Sequence, residues 1–474
     1  MKELIKNFFI FGLATITERL VALLLIPVYA RIFSVSDFGV VDLIQTFVAI
    51  VAIFSSLQLE TALQRFYYEY HNQGKKDFIF TIFVVICILA IFITLIGICA
   101  APYISHLMFE SEKMVLTVKV AILQIPFLAA STIATLVLRF EKRNVAFTSI
   151  IVLRVVALLS GVYLCLIQLE LNVIGLFYAQ LLASIIACIV SIWQIRNIFI
   201  GAKFSRIIMR LAFKYSLPQF PARIGSTVNS YANRFFILGS LSTYFVGLFS
   251  MALKFSSIVS LLHQVFMMAW NQFMFESIQS DNYRTTFPMI LKIMIPVLCV
   301  PVALVTLFSK EIILMMSTTE YLEAHKYVGG LSFALVLIIF KEIVDIGPKF
   351  ENKTQFLSLN FGFSLVVNIL GLIFLLPVMG LAGIVIAMIL SNVTLLLSSW
   401  IVSHKLHPIA FRVNDFILYV SPIGLLSIGS MYVELSFYWR IIIAIILFLA
   451  YSVREYYYIA EYRRLMVNCS INKQ

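Results

Sequence analysis

The chain has 474 residues, of which 62% are hydrophobic and 12% are charged, and its mean hydropathy is +1.01. Soluble domains are about 45–50% apolar and about 25% charged, so this composition excludes a soluble globular protein and indicates a polytopic membrane protein. The formal net charge of +12 does not indicate a nucleic-acid partner, because the basic residues lie in short clusters between apolar runs. We therefore expect this chain to contact a lipid bilayer and no nucleic acid.

Apolar runs of about twenty residues recur along the whole sequence, and a helix of that length crosses a hydrocarbon core of about 30 Å. The predicted fold class is therefore all-α, with fourteen transmembrane helices. Every connector is about twenty residues long at most, which leaves no space for a soluble domain. The predicted spans are 6–31, 38–59, 78–104, 117–139, 145–167, 173–195, 213–238, 244–270, 288–309, 326–348, 355–377, 379–403, 413–433 and 437–458.

Lysine and arginine are distributed unevenly between alternate connectors. With the N-terminus in the cytoplasm, about 23 basic residues fall in cytoplasmic segments and about six in outer connectors. Membrane proteins keep an excess of positive charge on the cytoplasmic side. We therefore predict that both termini are cytoplasmic.

The sequence also repeats itself weakly, at an offset of about 208 to 210 residues. Residues 138–143 (LRFEKR) match 348–353 (PKFENK), and Gly175 and Gly383 each precede an alanine by four residues. Chance similarity between apolar helices explains the glycine matches well but the charged match less well. An offset that spans an even number of helices gives a parallel repeat, with a pseudo-twofold axis along the membrane normal.

This repeat predicts two six-helix lobes and an appended pair of helices. In chain order we expect an N-lobe with helices one to six, a cytoplasmic linker, a C-lobe with helices seven to twelve, and helices thirteen and fourteen with a cytoplasmic tail. These parts correspond to residues 1–200, 201–212, 213–405 and 406–474.

The seventh predicted span carries a polar face that lipid does not tolerate. The side chains on that face follow the helical spacing i, i+3, i+4, i+7 and i+11, and they are Arg223, Ser226, Thr227, Ser230 and Arg234. A cation at the bilayer centre costs at least about 2.5–3.5 kcal/mol, so arginines within a span line a bundle interior or a watery cavity. We predict a cationic substrate cavity, with Arg223 as its main cation. For Arg234, near the outer end, snorkelling to the interface is an equal alternative.

Two prolines, Pro218 and Pro221, lie near the start of the same span. Proline kinks a helix and frees backbone carbonyl groups, which a membrane protein tolerates where neighbours or water satisfy those groups. We predict a bent helix in contact with water, and a static kink is the alternative.

Among the other cations within predicted spans, we predict that Arg19, Arg154 and Lys254 add to the cavity lining. Glu18 is a candidate carrier of a coupling proton, because ionisable residues within a membrane are retained mainly where they serve a function. The alternative is that Glu18 and Arg19 simply pair with charges on other helices. Asp42, in helix two, is a second candidate for coupling or gating.

Charged residues also occur at the predicted cytoplasmic ends of the spans. Glu60 and Arg65 flank the mouth of the cavity, where we favour an interfacial salt bridge over a gating role. Lys341, Glu342 and Asp345 form an internally compensated cluster in helix ten. The sequence contains no pattern typical of a metal site and no glycine-rich phosphate loop, so we expect no metal and no cofactor.

Several stretches resemble the Wzx-type polysaccharide flippases, which belong to the MOP superfamily together with MATE drug exporters and MurJ-type lipid II flippases. The resemblance extends over essentially the whole chain, and its clearest stretches are 27–43, 59–67, 215–218, 229–235 and 246–250. The chain departs from the pattern at Asn233, where family members often have aspartate. This departure argues against ion coupling through that position.

The resemblance implies a flippase that moves undecaprenyl-pyrophosphate-linked oligosaccharide, such as an O-antigen or lipopolysaccharide repeat unit, from the cytoplasmic to the periplasmic leaflet of a bacterial inner membrane. It implies alternating access of two lobes. A polymerase and a chain-length regulator of the same pathway would be its partners, and the driving force could be a proton gradient, a sodium gradient or the membrane potential. The cationic cavity suits the anionic, hydrogen-bonding headgroup of such a substrate.

Two rival functions remain open. A cation-coupled MATE-like drug or metabolite exporter should have an acidic cavity, whereas deep cations outnumber deep acids in this sequence. A membrane polysaccharide polymerase or lipid-dependent glycosyltransferase usually has a long periplasmic loop or an acidic motif in its first outer loop. Residues 32–37 and the other outer connectors provide neither feature clearly.

Overall fold

The computed structural model describes residues 21–471, except residues 22, 278–282, 352, 354 and 410–412. Within these residues every regular element is helical, which confirms the predicted all-α class. Most of the first predicted span, with Glu18 and Arg19, lies outside the described residues.

The chain forms α-helices of very different lengths, joined by short turns. In the first half they are α1 to α10, at Ile26–Ile32, Val35–Ser56, Leu59–Phe66, Asn72–Phe109, Val115–Leu123, Ile125–Phe140, Asn144–Val162, Asn172–Phe199, Arg206–Ser216 and Phe220–Ser240. In the second half they are α11 to α18, at Thr243–Ser277, Tyr283–Met316, His325–Val344, Gly347–Phe350, Gln355–Met379, Leu381–Leu406, Val413–Gly429 and Phe437–Ile471.

Eleven segments of the described chain are long and apolar enough to cross a membrane, and they coincide with eleven of the predicted spans. Helix α10 matches the seventh predicted span but is too polar to be among the eleven. Helix α17 matches the thirteenth span but has only 17 residues. The structure is therefore a multi-pass helical membrane protein, whereas the predicted total of fourteen spans is not confirmed.

The helical backbone of the seventh predicted span changes at its two prolines. Helix α9 ends at Ser216, and a 3₁₀ turn, Leu217–Gln219, joins it directly to α10. Pro218 is the second residue of that turn and Pro221 is the second residue of α10. Proline lacks an N–H group and fits the first turn of a helical segment, which suits both positions, and a functional bend at this point stays a prediction.

The chain divides into two compact units, Met1–Leu238 and Gly239–Gln474, called the first and second unit below. In the first unit the side chains of Tyr67, Phe78 and Phe177 are almost completely buried. Most of α10 belongs to this unit. The lobe boundaries predicted from the repeat, with a linker at 201–212, stay a prediction.

The charged repeat has an equivalent backbone hydrogen bond in each unit. At the end of α6 the Arg143 N–H donates to the Leu138 carbonyl over 2.9 Å. After α14 the Lys353 N–H donates to the Pro348 carbonyl over 2.9 Å. The sequence match at this offset therefore coincides with a matching hydrogen bond.

Small residues of the repeat lie at matching close contacts between helices. A Cβ atom added to Gly161 of α7 would lie 2.9 Å from the Ala179 Cα atom of α8. A Cβ atom added to Gly371 of α15 would lie 2.6 Å from the Ala387 Cβ atom of α16. Because lipid supplies no hydrophobic driving force between helices, small residues that allow close packing stabilise such pairs.

The hairpin of α15 and α16 contains further close contacts. Its turn contains Gly380, with φ of 58°. A Cβ atom on Gly383 would lie 2.3 Å from the Leu375 carbonyl oxygen, so the position requires glycine. The hydroxyl oxygens of Ser364 and Ser391 lie 2.8 Å apart, and each hydroxyl also contacts the other residue's carbonyl oxygen.

Candidate functional site

A cavity of about 200 Å³ lies within the first unit, among α2, α3, α4, α6 and α10. Glu60 and Arg223 are the two charged residues among those that line it. The other lining residues are small, aliphatic or hydroxyl-bearing, and they are Ala49, Ala52, Ile53, Ser55, Ser56, Ile86, Ile125, Leu128, Ala129, Thr132 and Ile133. The structure thus brings together two residues that the sequence analysis placed in different roles.

A sharp break between α2 and α3 positions Glu60. Leu57 and Gln58 both have left-handed backbone conformations, with φ of 44° and 62°. Helix α3 then begins at Leu59, so Glu60 lies in its first turn, beside the cavity. Its Oε2 atom is buried and, among the described residues, has no hydrogen-bond partner. Such an atom normally receives a hydrogen bond from water, a ligand or another donor.

Arg223 lies in the first turn of α10 and lines the same cavity. The start of α10 packs on α2 through an edge-on contact between Phe54 and Phe220, whose ring centroids are 5.4 Å apart. The Arg223 side chain is exposed, and no ion pair or side-chain hydrogen bond engages it within the described part of the chain. Its guanidinium group is therefore available to an anionic ligand.

Three hydroxyl groups line the same cavity. The side chains of Ser55, Ser56 and Thr132 each donate to a carbonyl oxygen of the preceding turn, over 2.6, 3.5 and 2.7 Å respectively. A hydroxyl that already donates its proton still has a lone pair that can accept. The cavity therefore combines one cationic donor with several acceptors, an arrangement that suits a ligand with both negative charge and hydroxyl groups.

The polar face of α10 continues beyond Arg223. The Ser226 hydroxyl donates to the Arg223 carbonyl over 2.9 Å, and the Ser230 hydroxyl donates to the Ser226 carbonyl over 2.9 Å. Thr227, on the same face, is buried. The predicted polar face is thus present, but the hydroxyl groups of Ser226 and Ser230 already donate to backbone carbonyl oxygens of the same helix.

Arg234, at the far end of this face, forms an ion pair with Asp42 of α2. The Arg234 Nε atom lies 2.5 Å from Asp42 Oδ2, and the two side chains are only 12% and 13% exposed. The Arg234 guanidinium carbon also lies 5.3 Å from the centroid of the Tyr231 ring. Arg234 therefore connects α10 to α2 inside the first unit, and a substrate contact by this residue stays a prediction.

The remaining described cations of the prediction, Arg154 and Lys254, are not among the residues that line the Arg223 cavity. Arg154 is half-buried in α7 of the first unit, and Lys254 is half-buried in α11 of the second unit. A shared cavity for these two residues and Arg223 stays a prediction, and Arg19 lies outside the described residues. Arg65 forms its ion pair with Glu69, one turn later.

The compensated cluster predicted in helix ten is present at the end of α13. The Lys341 Nζ atom lies 2.7 Å from Asp345 Oδ2 and 3.2 Å from Glu342 Oε1. Lys349 of α14 adds a second cation, 3.0 Å from Glu342 Oε2. Four charges thus neutralise one another, which favours a packing role.

A second cavity, of about 260 Å³, lies in the second unit among α12, α13, α17 and the start of α18. Lys310 donates to Glu434 over 2.9 Å, and Arg440 donates to Glu311 over 2.8 Å. The hydrogen bond from Lys310 holds the pKa of the Glu434 carboxyl below its usual range. Sequence reasoning missed this group because its members lie in connectors and helix ends far apart in the chain. Both of these cations are already held in ion pairs, so this cavity is a weaker candidate for an anionic ligand than the Arg223 cavity.

Comparison with known proteins places this architecture in a family. A model of a family described as "Polysaccharide biosynthesis protein" matches residues 4–276, which is more than half of the chain. The chain belongs to the polysaccharide biosynthesis protein family. The matched region of this family member includes both Glu60 and Arg223. A comparison with curated proteins gave no match.

Solved structures show that this polysaccharide biosynthesis protein has the fold of MOP transporters. A structure titled lipid II flippase MurJ, in an inward closed conformation, aligns with a TM-score of 0.73 and 16% identity, over 96% of this chain and 99% of that one. An inward-facing multidrug resistance MATE transporter of the MOP superfamily aligns with a TM-score of 0.62 and 14% identity, over 82% of this chain and 94% of that one. Since these identities are low, the similarity establishes the fold.

Proposed function

We propose that this protein is a flippase that translocates undecaprenyl-pyrophosphate-linked oligosaccharide repeat units from the cytoplasmic to the periplasmic leaflet of a bacterial inner membrane. Family membership and a fold shared with a lipid II flippase support this proposal. The observation that carries it is Arg223, a guanidinium group without an ion pair among the described residues, in a cavity lined by hydroxyl oxygens. In this proposal both chain termini are cytoplasmic, and a polymerase and a chain-length regulator act in the same pathway.

The chemistry of the cavity matches the headgroup of such a substrate. Arginine presents five N–H donors in a planar arrangement that binds phosphate oxygens in pairs, and it stays charged at any physiological pH. The oxygens of Ser55, Ser56 and Thr132 can accept from sugar hydroxyl groups. The polyprenyl tail stays in the bilayer while the two lobes alternate access to the headgroup, as in other transporters built from repeats.

Glu60 supplies a means of coupling in this proposal. Its carboxylate lies in the same cavity as Arg223, where it repels the substrate phosphates unless a cation lies beside it. In this proposal a proton or sodium gradient drives the cycle. Asp42 and Glu18 are the other proposed coupling residues. No enzymatic step or cofactor enters this cycle.

The proposal is tested in cells whose surface polysaccharide depends on this protein. Loss of a charge-assisted hydrogen bond corresponds to about 1.5–3 kcal/mol, so we expect Arg223→Gln to reduce polysaccharide output by about tenfold or more, with accumulation of lipid-linked repeat units in the cytoplasmic leaflet. Arg223→Lys should retain part of the output, and Lys405→Gln, which removes an exposed cation on α16, should retain all of it.

The results also distinguish the rival functions. Normal polysaccharide output from well-expressed Arg223→Gln and Glu60→Gln variants would contradict the proposed site. Accumulation of unpolymerised units in the periplasmic leaflet would indicate a polymerase. Normal polysaccharide together with altered resistance to organic cations would indicate an exporter.

A further inference from the structure

The end of α8, the following connector and α9 form a strongly basic segment, defined here as residues 193–214. It contains five exposed cations, Arg196, Lys203, Arg206, Arg210 and Lys214. The sequence has no aspartate or glutamate between Glu170 and Glu276. The positive charge of this segment is therefore not compensated within its own part of the chain.

Helix α9 separates its side chains into two faces. Ser205 caps its start by accepting a hydrogen bond from the Ile208 N–H over 3.4 Å. Ile208 and Ala212 are buried on the inner face, and Tyr215 makes an edge-on contact with Phe66 of α3, with ring centroids 5.3 Å apart. The three cations of α9 recur at every fourth residue, so they lie together on the outer face. No carboxylate pairs with them among the described residues.

Hydrogen bonds fix this segment to the first turns of α4, which is itself a candidate span. The Gln73 side chain donates to the Gly201 carbonyl over 2.7 Å. The backbone N–H of Lys203 donates to Asp77 Oδ1 over 2.7 Å, and the backbone N–H of Ser205 donates to Thr81 Oγ1 over 3.1 Å. The segment is therefore held where α8 ends and α4 begins, which is the level of a membrane surface for two spans.

Large apolar side chains accompany the cations on the exposed surface. Ile207 is 82% exposed and Ile200 is 68% exposed, while the exposed Trp193 ring lies 4.7 Å from the Arg196 guanidinium. On α9, Ile207 and Leu211 border the row of cations. Apolar and aromatic side chains next to a basic row are typical of helices that lie in the interface between lipid tails and headgroups.

We propose that residues 193–214 bind acidic phospholipid headgroups, of the phosphatidylglycerol type, at the membrane surface. The five cations contact the phosphate groups, and Trp193, Ile200 and Ile207 insert among the adjoining acyl chains. One lysine or arginine near an acidic membrane surface corresponds to about a fivefold change in binding, so the three cations of α9 are sufficient for strong selectivity. This interaction involves bulk lipid and not the transported substrate, and it is independent of the Arg223 cavity.

A version of the full chain with Trp193 as its single tryptophan tests the proposal, and it requires Trp270→Phe, Trp400→Phe and Trp439→Phe. In reconstituted vesicles, quenching of Trp193 fluorescence by brominated phosphatidylglycerol and by brominated phosphatidylcholine gives the relative association of the two lipids. We expect phosphatidylglycerol to be preferred at least about fivefold. The ratio of phosphatidylglycerol association to phosphatidylcholine association should approach one when Arg206, Arg210 and Lys214 are all changed to Gln.

A matched control removes three exposed cations elsewhere, with the substitutions Lys113→Gln, Lys353→Gln and Lys405→Gln. This control should keep the preference, although its net charge equals that of the α9 variant. Equal quenching by the two lipids in the parent would overturn the proposal, as would an equal loss in both variants. If the single-tryptophan version does not fold, phosphatidylglycerol added to the unaltered chain in detergent should still raise its melting temperature. That rise should be absent for phosphatidylcholine and for the α9 variant, and an identical rise in all cases would contradict the proposal.

Discussion

The ion pair between Asp42 and Arg234 should contribute strongly to the stability of the first unit. At an effective dielectric constant of about 20, two unit charges about 4 Å apart attract by about 4 kcal/mol. Because the side chains are 12% and 13% exposed, solvent screens this attraction only partly, and removal of one partner leaves a poorly solvated charge. We expect Asp42→Asn or Arg234→Gln alone to lower the free energy of unfolding by about 2–4 kcal/mol.

A double-mutant cycle measures this interaction directly. Equilibrium unfolding in mixed micelles with increasing SDS, followed by tryptophan fluorescence, gives the free energy for each variant. The double variant should be more stable than the sum of the single effects predicts, by at least about 1 kcal/mol. The pair of Arg65 and Glu69 is the control, because its side chains are 53% and 50% exposed, so Arg65→Gln should cost less than about 1 kcal/mol. Additive single effects, or an equal effect of Arg65→Gln, would refute this account.

Three other positions have defined expectations in the same unfolding assay. Gly383→Val should destabilise the chain by about 1–3 kcal/mol through overpacking against a backbone carbonyl, whereas Gly362→Ala, with open space at its Cβ position, should be nearly neutral. Lys341→Met should cost about 3–5 kcal/mol, because it removes the cation that pairs with the fully buried Asp345 carboxylate. The hydrogen bond from Lys310 lowers the pKa of Glu434 in the folded state, so its stabilising effect should be present above the unfolded pKa of about 4.3 and lost as the pH falls through the folded value. Glu434→Gln should remove this part of the acid sensitivity, and an unchanged pH profile would contradict the assignment.

The helical architecture could be predicted from the sequence because its cause is local. An apolar run of membrane length must satisfy its backbone hydrogen bonds internally, so eleven predicted spans coincide with helices. The compensated cluster around Lys341 was also predictable, since its first three members lie within one turn of one helix. The 3₁₀ turn at 217–219 could not be predicted, because a proline near the start of a polar span is compatible with several local helix geometries.

The composition of the candidate site depends on contacts between distant parts of the chain. Asp42 and Arg234 are 192 residues apart, and nothing in a single sequence pairs them. Glu60 faces the Arg223 cavity only because two consecutive residues, Leu57 and Gln58, adopt left-handed conformations that side chains rarely favour. Residue type indicated which charges were unusual, but tertiary packing determined which of them share a cavity.

The close packing of α15 against α16 has a consequence for how the chain is made. The two helices are adjacent in the sequence, share the contact of Gly371 with Ala387, and exchange hydrogen bonds between Ser364 and Ser391. None of these contacts requires any other helix, so the hairpin can assemble as soon as both segments have left the translocation machinery. The equivalent contact of Gly161 with Ala179 gives the first unit its own early hairpin. Each half of the polypeptide thus carries a pair of helices able to associate during synthesis, without contacts from distant parts of the chain.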